Sequence, residues 1–324
     1  MTANNKIKIL AVVGSTASGK TALSIALAKA LCGEVVSCDS MQIYRRMDIG
    51  TAKPAKEEMD GIVHHLLDFV EPDTPFSCAE YVSLAKKTVE EIHGREKTPV
   101  FCGGTGLYLD SFLRGGGFEE TETDPALRES LFSFAAEYGN HALHERLAQV
   151  DPESAQAIHE NNVKRVVRAL EIFESTGVTK TEMDRRSRTP ESPYDACVIG
   201  LRYQNRDILY DRIDRRVDMM LDAGLLEETK RLMEEGVFER NSTAAQAIGY
   251  KELLGYLRGE VDLAESVESL KRATRRYAKR QITWFGAKDY VRWVDADRDG
   301  EMRSFEEIFG EALTIASMNH QTQL

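Results

Sequence analysis

The sequence predicts an α/β fold in which a parallel sheet forms the core and an all-helical subdomain is inserted into it. Apolar runs of strand length alternate with helical stretches in the first hundred residues, and they cover residues 7–13, 35–38, 65–69 and 99–102. Such alternation is typical of a parallel sheet covered by helices. From residue 115 onward the pattern is helical only, and residues 196–202 return to strand character. We therefore expect a core of residues 1–114 and 196–324 and a helical insertion of residues 115–195.

The most specific motif follows the first predicted strand. Residues 14–21 read GSTASGKT, which matches the pattern G-x-x-x-x-G-K-[ST]. In this pattern two glycines permit a tight turn whose backbone N–H groups surround phosphates, the lysine adds a positive charge, and the last hydroxyl can hold Mg²⁺. The expected phosphate-binding residues are Gly14, Ser15, Thr16, Ala17, Ser18, Gly19, Lys20 and Thr21. The motif predicts a P-loop NTPase-like core and a diphosphate or triphosphate ligand, without choosing between the two.

The composition indicates a soluble protein of the reducing cytoplasm. A chain of 324 residues is long enough for about two domains. No stretch approaches the roughly 18 apolar residues of a membrane span, and the N-terminus leads into a strand instead of the apolar segment of a signal peptide. The cysteines lack the C-x-x-C spacing of zinc sites and of disulfide frameworks. They are scattered at Cys32, Cys38, Cys78, Cys102 and Cys197.

The formal net charge of −11 argues by itself against nucleic acid as a partner, but the charge is unevenly distributed. Residues 271–288 contain seven basic side chains and no acidic one. Since charges are screened beyond about 8 Å at physiological salt, such a patch can attract a polyanion despite a distant acidic surface. On a helix it forms one basic stripe interleaved with Tyr277, Trp284 and Phe285, and the stripe consists of Arg272, Arg275, Arg276, Lys279 and Arg280.

A second, smaller basic cluster lies in the predicted insertion, at Lys164, Arg165 and Arg168. Valines and a leucine occupy the opposite face of the same predicted helix. Each basic cluster, taken alone, is equally well explained as the solvated face of an amphipathic helix. Their occurrence together favours a nucleic-acid partner.

Two further loops follow predicted strands, at residues 37–44 and 103–108. Because the carboxyl ends of parallel strands share one edge of the sheet, Asp39 is expected near the phosphate loop, as a general base or as a group that orients metal ligands. The loop at 103–108 reads GGTGLY and lacks a lysine. It is expected either to approach a substrate with its backbone or, as the pattern alone favours, to be a plain turn.

Residues 295–306 match the EF-hand calcium-loop pattern, with Asp295, Asp297 and Asp299 at its start and Glu306 in the twelfth position. The segment before this loop looks like a strand instead of the helix of an EF-hand, and there is no second loop to pair with it. We therefore expect an acidic turn that leads into a helix capped at Ser304, and not a calcium site. The pair at residues 64–65, both histidines, has no ligand partner at metal-site spacing and is expected to be structural.

The motifs together resemble those of the bacterial tRNA dimethylallyltransferases, also called tRNA isopentenyltransferases. The matching segments occur in order from the first strand to the last basic helix and include, in addition to the phosphate loop, Asp39-Ser40, MDIGTAKP at 47–54, HHLLD at 64–68, GGTGLY at 103–108, residues 165–171, AIGYKE at 247–252 and KRQITW at 279–284. The combination covers most of the chain and is highly specific.

This resemblance implies transfer of a dimethylallyl group from dimethylallyl diphosphate to the exocyclic amine of the adenine just 3′ of a tRNA anticodon. Lys20, Mg²⁺ on Thr21, and Arg212 and Arg216 would stabilise the leaving diphosphate, and Asp39 would accept the proton of the amine. The expected partner is the tRNA anticodon stem-loop, and we expect a monomer without membrane association. The resemblance assigns tRNA contacts to Asp39, Ser40, Met41, Gln42, Thr105, Arg128, Lys164, Arg165, Arg168, Gly249, Tyr250, Lys251, Lys279, Arg280, Gln281 and Trp284.

Other functions share some of these features. A small-molecule kinase has the same loop and sheet but does not need two basic helices, and an adenylate isopentenyltransferase uses a free nucleotide as acceptor. A GTP-driven switch needs an N-K-x-D motif, which the sequence lacks. A non-catalytic RNA-binding module explains the basic patches and leaves Lys20 and Asp39 without a role.

Overall fold

A parallel sheet of six strands forms the core of the structure, a computed structural model that describes residues 6–115, 124–186, 192–241 and 243–321, with only the backbone for 319–321. The strand order is β3-β2-β4-β1-β5-β6, and every neighbouring pair is parallel. The strands are β1 (Ile7–Gly14), β2 (Gly33–Ser37), β3 (His64–His65), β4 (Thr98–Gly103), β5 (Tyr194–Arg202) and β6 (Val291–Asp295). The predicted fold class is confirmed.

Helices surround the sheet and form most of the rest of the described chain. They are α1 (Lys20–Ala30), α2 (Lys56–Met59), α3 (Cys78–Gly94), α4 (Gly106–Leu113), α5 (Pro125–Val150), α6 (Pro152–Ala157), α7 (Val163–Thr176), α8 (Lys180–Arg186), α9 (Arg206–Asp222), α10 (Leu225–Glu234), α11 (Val237–Arg240), α12 (Lys251–Leu257), α13 (Leu263–Gly286) and α14 (Phe305–Gln321). A 3₁₀ turn covers Ala244–Gln246, and a short antiparallel hairpin joins β7 (Asp297–Arg298) to β8 (Glu301–Met302). No helix among the described residues is long and apolar enough to cross a membrane.

Both faces of the sheet are covered, as the apolar character of its strands requires. Successive residues of β1 point to opposite faces, so Leu10 and Val12 pack with α1, α9 and α14, whereas Ile9 and Val13 pack with α3 and α4. This alternation leaves the strands with little exposed surface. Because the strands are parallel, the carboxyl ends of β1, β2 and β4 lie at one edge of the sheet, where the loops that carry the predicted chemistry begin.

The third strand is shorter than the sequence predicts. We expected strand structure over residues 65–69, but the structure pairs only His64 and His65 with β2. Leu66 and Asp68 have φ values of 54° and 57°, in the left-handed region that an extended strand cannot contain. The chain therefore leaves the sheet after His65, and Val70 then forms an isolated bridge with Tyr44 outside the six strands.

Glu34, the second residue of β2, is a buried carboxylate with three basic partners. It accepts hydrogen bonds from Arg95, Lys97 and His65 at 2.6, 2.8 and 2.6 Å. Burial raises its pKa, but the hydrogen bonds from these partners outweigh burial and lower it to about 2. His65 thus has the structural role that the sequence predicted, beside a carboxylate at the amino end of the sheet.

The segment with the EF-hand pattern is organised by contacts within the protein. The Asp295 carboxylate accepts from Arg202 at 2.7 Å, and the buried Asp297 carboxylate accepts from the backbone N–H groups of Gln204 and Asn205 at 2.7 and 2.8 Å. Ser304 and Glu307 then cap α14 reciprocally, each accepting from the backbone N–H of the other. These contacts correspond to the predicted acidic turn and capped helix.

The chain divides into two compact units, one made of residues 1–113 and 193–324 and the other of residues 114–192. The second unit has its own apolar core, in which Leu131, Leu143 and Leu147 of α5 pack against Val166 and Leu170 of α7. The predicted insertion covered residues 115–195. Within that range, residues 116–123 and 187–191 lie outside the described part of the chain.

Candidate active site

The phosphate loop connects β1 to the first turn of α1. Gly14 has a φ of 154°, and a Cβ on it would lie 2.6 Å from the Leu201 carbonyl oxygen, so only glycine fits there. Gly19 precedes the helix with a φ of 94°. The first N–H groups of a helix have no partner within the helix and carry the positive end of its dipole. The loop therefore forms an anion site of the kind that holds phosphates.

Three cationic side chains lie at this loop. Lys20 donates from Nζ to the Ser15 carbonyl oxygen at 3.2 Å, and Arg212 of α9 donates from Nε to the Ala17 carbonyl oxygen at 3.0 Å. Burial lowers the pKa of Lys20, Asp39 raises it, and the charge of Arg216 lowers it further. Burial also lowers the pKa of Arg216, although a guanidinium remains protonated. Like charges held together in a partly desolvated site favour an anionic ligand, because the ligand relieves their repulsion.

Asp39 lies at the carboxyl end of β2, in a turn that uses only one of its two carboxylate oxygens for hydrogen bonds. Its Oδ1 accepts from the backbone N–H groups of Met41 and Gln42 at 2.9 and 3.4 Å, as in an Asx turn. Within the described ranges no residue donates a hydrogen bond to Oδ2. The turn fixes the carboxylate with one oxygen, and the other is free to accept a proton.

The loop after β4 packs directly against the Asp39 turn. Thr105 donates its backbone N–H to the Cys38 carbonyl oxygen at 3.2 Å, and its Oγ1 accepts from the Ser40 N–H at 3.0 Å. A Cβ on Gly103 would lie 2.0 Å from the Cys38 carbonyl oxygen, so the two backbones meet only because this residue is glycine. The segment is more than a plain turn, since it holds the Thr105 hydroxyl beside the Asp39 turn.

Gln281 is buried within the site. The resemblance predicts a tRNA contact for it, and in the structure its side chain is 4% exposed and lies between two loops of the site. Its Oε1 accepts from the Thr16 N–H at 2.8 Å, and its Nε2 donates to the Gly104 carbonyl oxygen at 3.0 Å. The spacing of Ala278 and Phe285 along α13 is a signal that could have placed Gln281 on the buried face.

Tyr250, for which the resemblance also predicts a tRNA contact, is buried. Its hydroxyl donates to Glu228 at 2.6 Å, and this carboxylate also accepts from the backbone N–H groups of Asp48, Ile49 and Gly50 at 3.0–3.1 Å. The Tyr250 side chain therefore organises the 47–54 segment. Sequence reasoning missed Glu228, although its spacing from Leu225 and Leu232 is a signal that could have placed it on the buried face of α10.

Three further residues with predicted tRNA contacts lie beside this segment. Gln42 donates from Nε2 to the carbonyl oxygens of Thr51 and Ala52 at 3.1 and 3.0 Å, which uses both amide hydrogens within the protein. Gly249 has a φ of 109° and packs against the backbone of Gly50, and the neighbouring Lys251 forms an ion pair with Glu252 at 3.7 Å.

The exposed face of α13 carries the predicted basic stripe, from which one member is withdrawn. Arg275 donates to both carboxylate oxygens of Asp214 at 2.5 and 2.6 Å. Arg280 lies 5.4 Å from the Tyr277 ring centroid. Trp284 packs against Gly106, with its buried Nε1 unbonded to any described residue. The exposed basic side chains of the stripe are Arg272, Arg276, Lys279 and Arg280.

In the second unit, two of the three arginines predicted to face RNA have an internal partner. Arg128 and Arg168 donate to the same oxygen of the fully buried Glu171 carboxylate, at 2.8 and 2.9 Å. Lys164 and Arg165 are exposed at the start of α7. Arg165 and Arg168 also line a cavity of about 420 Å³.

The residues at the phosphate loop suit Mg²⁺. The ion prefers oxygen ligands and usually binds through one or two protein groups together with substrate phosphates. The Thr21 hydroxyl at the first turn of α1 is such a ligand, and the free carboxylate oxygen of Asp39 is an oxygen of the same class at the same edge of the sheet. Among the described residues, no group of three or more His, Cys, Asp or Glu side chains is arranged as a metal site.

Comparison with known proteins identifies the family. The family model described as IPP transferase matches residues 42–288. The tRNA dimethylallyltransferase of Caldanaerobacter subterraneus subsp. tengcongensis is 47% identical over 303 residues (93% of this chain, 95% of that protein), and that of Halalkalibacterium halodurans is 50% identical over 290 residues (90% and 91%).

Solved structures agree with these relatives. The tRNA isopentenylpyrophosphate transferase of Bacillus halodurans has a TM-score of 0.72 at 45% identity, covering 97% of both chains. A eukaryotic dimethylallyltransferase acting on tRNA has a TM-score of 0.75 at 30% identity, covering 89% of this chain and 74% of that one. Since the family model and these relatives cover most of the sequence, this chain belongs to the IPP transferase family.

Proposed function

We propose that this protein transfers the dimethylallyl group of dimethylallyl diphosphate to the exocyclic amine of the adenine 3′-adjacent to the anticodon of tRNA. The observation that carries the proposal is the placement of a cation-lined phosphate loop and the free oxygen of Asp39 at one edge of the sheet. In the reaction the allylic C–O bond breaks and a C–N bond forms. The amine proton passes to Asp39, and diphosphate leaves.

The diphosphate, and not the prenyl chain, is the main anchor of the donor. Five carbons contribute at most about 4 kcal/mol at roughly 0.8 kcal/mol per buried CH₂. Lys20, Arg212 and Arg216, together with the N–H groups of the loop, bind the diphosphate and stabilise the charge that develops on it as the C–O bond breaks. Mg²⁺ held by Thr21 would add Lewis-acid stabilisation of the same leaving group.

The acceptor amine is a weak nucleophile because its lone pair is delocalised into the adenine ring. A carboxylate that accepts its proton during attack compensates for this weakness. The free oxygen of Asp39 supports that role, and the Thr105 hydroxyl beside it is a candidate contact for the base. A stacked base cannot reach either group, so the adenine must be extruded from the anticodon loop into the site.

Binding of the negatively charged tRNA backbone requires a positively charged surface. In a protein with a net charge of −11, this surface must be a local cluster of basic side chains. The exposed stripe at Arg272, Arg276, Lys279 and Arg280 supplies it on the first unit, and Lys164 and Arg165 do so on the second. Phosphate contacts of this kind position the substrate without reading its sequence. We propose that the protein acts as a monomer. The five cysteines are free, which fits the reducing cytoplasm where tRNA is modified.

Single-turnover transfer of radiolabel from dimethylallyl diphosphate in the presence of Mg²⁺ tests the proposal. Unmodified bulk tRNA and AMP are offered in parallel, and release of the γ-phosphate from ATP is measured beside them. Label in tRNA alone is expected, and a tRNA with guanine at the acceptor position is the matched control. Label in AMP would indicate an adenylate isopentenyltransferase, and ATP turnover without prenyl transfer would indicate a kinase.

A further inference from the structure

Gln281 connects the two halves of the site through a single side-chain amide. The acceptor end, Oε1, takes the Thr16 N–H of the phosphate loop, and the donor end, Nε2, gives a hydrogen bond to the Gly104 carbonyl oxygen in the loop after β4. Neither partner is close in sequence, since they lie 265 and 177 residues away. Gln281 of α13 therefore joins two loops that follow different strands of the sheet.

The phosphate-loop end of this contact lies at a strained part of the backbone. Ala17 has a φ of 61°, a conformation that a residue with a Cβ adopts only when its surroundings enforce it. Two hydrogen bonds from outside the loop flank this residue: Gln281 accepts from the N–H of Thr16, and Arg212 donates to the Ala17 carbonyl oxygen. Removal of the first leaves the strained conformation with less support.

The other end of the contact is shaped for close approach. A Cβ on Gly104 would lie 1.9 Å from the Gln281 Nε2. The next residue, Thr105, accepts from the Ser40 N–H, and Ser40 follows Asp39 directly. An unbroken series of contacts therefore runs from the donor loop through Gln281 to the turn that holds the general base.

We propose that Gln281 is a positioning residue that sets the phosphate loop and the Asp39–Thr105 loops in register, so that the donor carbon and the acceptor amine meet in line. The proposal rests on the proposed transferase function for its substrates. The Gln281 side chain is buried, unlike those of the exposed Lys279 and Arg280, which precede it on α13. Its loss therefore affects alignment of the reactants and not capture of tRNA.

The test compares Gln281→Met, which keeps the length of the side chain and removes both hydrogen bonds, with Glu268→Gln. Glu268 is exposed on α13, 13 residues earlier and thus roughly 20 Å away along the helix. We expect Gln281→Met to lower kcat by about 10-fold or more and to raise KM for dimethylallyl diphosphate several-fold, with tRNA affinity within about twofold of wild type. Glu268→Gln should change none of these.

Loss of tRNA affinity with unchanged kcat and KM for the donor would overturn the proposal and make Gln281 a tRNA contact. Wild-type values of kcat, of KM for the donor and of tRNA affinity in Gln281→Met would overturn the proposal as well. A measurement independent of the acceptor is hydrogen exchange at the Thr16 amide, which should accelerate in Gln281→Met by more than the fall in global stability, measured as Tm, accounts for. Failure of wild type to label tRNA would refute the transferase function alone, because exchange at Thr16 still tests the contact.

A second variant separates the two hydrogen bonds and remains informative if the first does not fold. Gln281→Glu keeps an acceptor for the Thr16 N–H and loses the donor to the Gly104 carbonyl. We expect protection of the Thr16 amide to be retained while kcat still falls by about 10-fold. Equal acceleration of exchange in both variants, or a wild-type kcat in Gln281→Glu, would contradict the assigned bridge.

Discussion

The assignment of Asp39 as general base predicts a slower transfer rate in Asp39→Asn, and the size of the effect follows from the different roles of its two carboxylate oxygens. In Asp39→Asn the retained Oδ1 still accepts from the N–H groups of Met41 and Gln42, so the turn should persist. The oxygen that makes no hydrogen bond is replaced by an NH₂ group, which cannot take up a proton. We expect single-turnover transfer to slow by about 100-fold or more, equivalent to about 2.7 kcal/mol of lost transition-state stabilisation.

Folding and tRNA binding should change little in the same variant. Two hydrogen bonds to a carboxylate become bonds to a neutral carbonyl, which costs on the order of 1 kcal/mol and lowers Tm by a few degrees in a chain of this size. The matched control is Asp60→Asn, the same chemical change at an exposed residue that pairs with Lys29, where wild-type rates are expected. A single-turnover rate equal to wild type in Asp39→Asn, with saturating donor and tRNA, would refute the role of Asp39 as base.

Three further outcomes are expected. Gly103→Ala places a Cβ 2.0 Å from the Cys38 carbonyl oxygen, so it should destabilise the fold by several kcal/mol in urea unfolding, and a midpoint equal to wild type would contradict this contact. Arg276→Ala should reduce the log–log salt dependence of tRNA affinity by about 0.7 to 0.9, and an unaltered slope would remove Arg276 from the tRNA surface. The depressed pKa of Glu34, about 2, contributes stability that is present above pH 4.5 and is lost as the pH falls toward 2. Glu34→Gln should be less stable at pH 7 and should lose less stability over that acid range, which unfolding curves at several pH values can check.

The parts of the structure that the sequence predicted are those fixed by local chemistry. The strand, glycine-rich loop and helix around Lys20 occupy adjacent positions in the chain, and their spacing alone requires the turn that the structure contains. The predicted end of β3 was wrong because the largely apolar sequence of residues 65–69 does not reveal the left-handed φ values at Leu66 and Asp68. The bridge made by Gln281 was missed because its partners lie far away in sequence.

A family resemblance assigns residues to a surface without saying which of their atoms point outward. Arg128 and Arg168 illustrate this, since both contact the buried Glu171, whose charge they neutralise. A buried carboxylate requires such partners whether or not RNA is bound. Exposed neighbours such as Lys164, with no such internal requirement, are easier to assign from charge pattern alone.

The cations at the phosphate loop have a consequence for the end of the catalytic cycle. With the roles proposed above, Lys20, Arg212 and Arg216 still face the diphosphate once its bond to the prenyl carbon has broken, and free diphosphate carries more negative charge than its ester. We therefore expect the loop to hold the inorganic product at least as firmly as the donor. We therefore expect accumulated diphosphate to compete with the next donor molecule for the loop, so that each turnover requires its release.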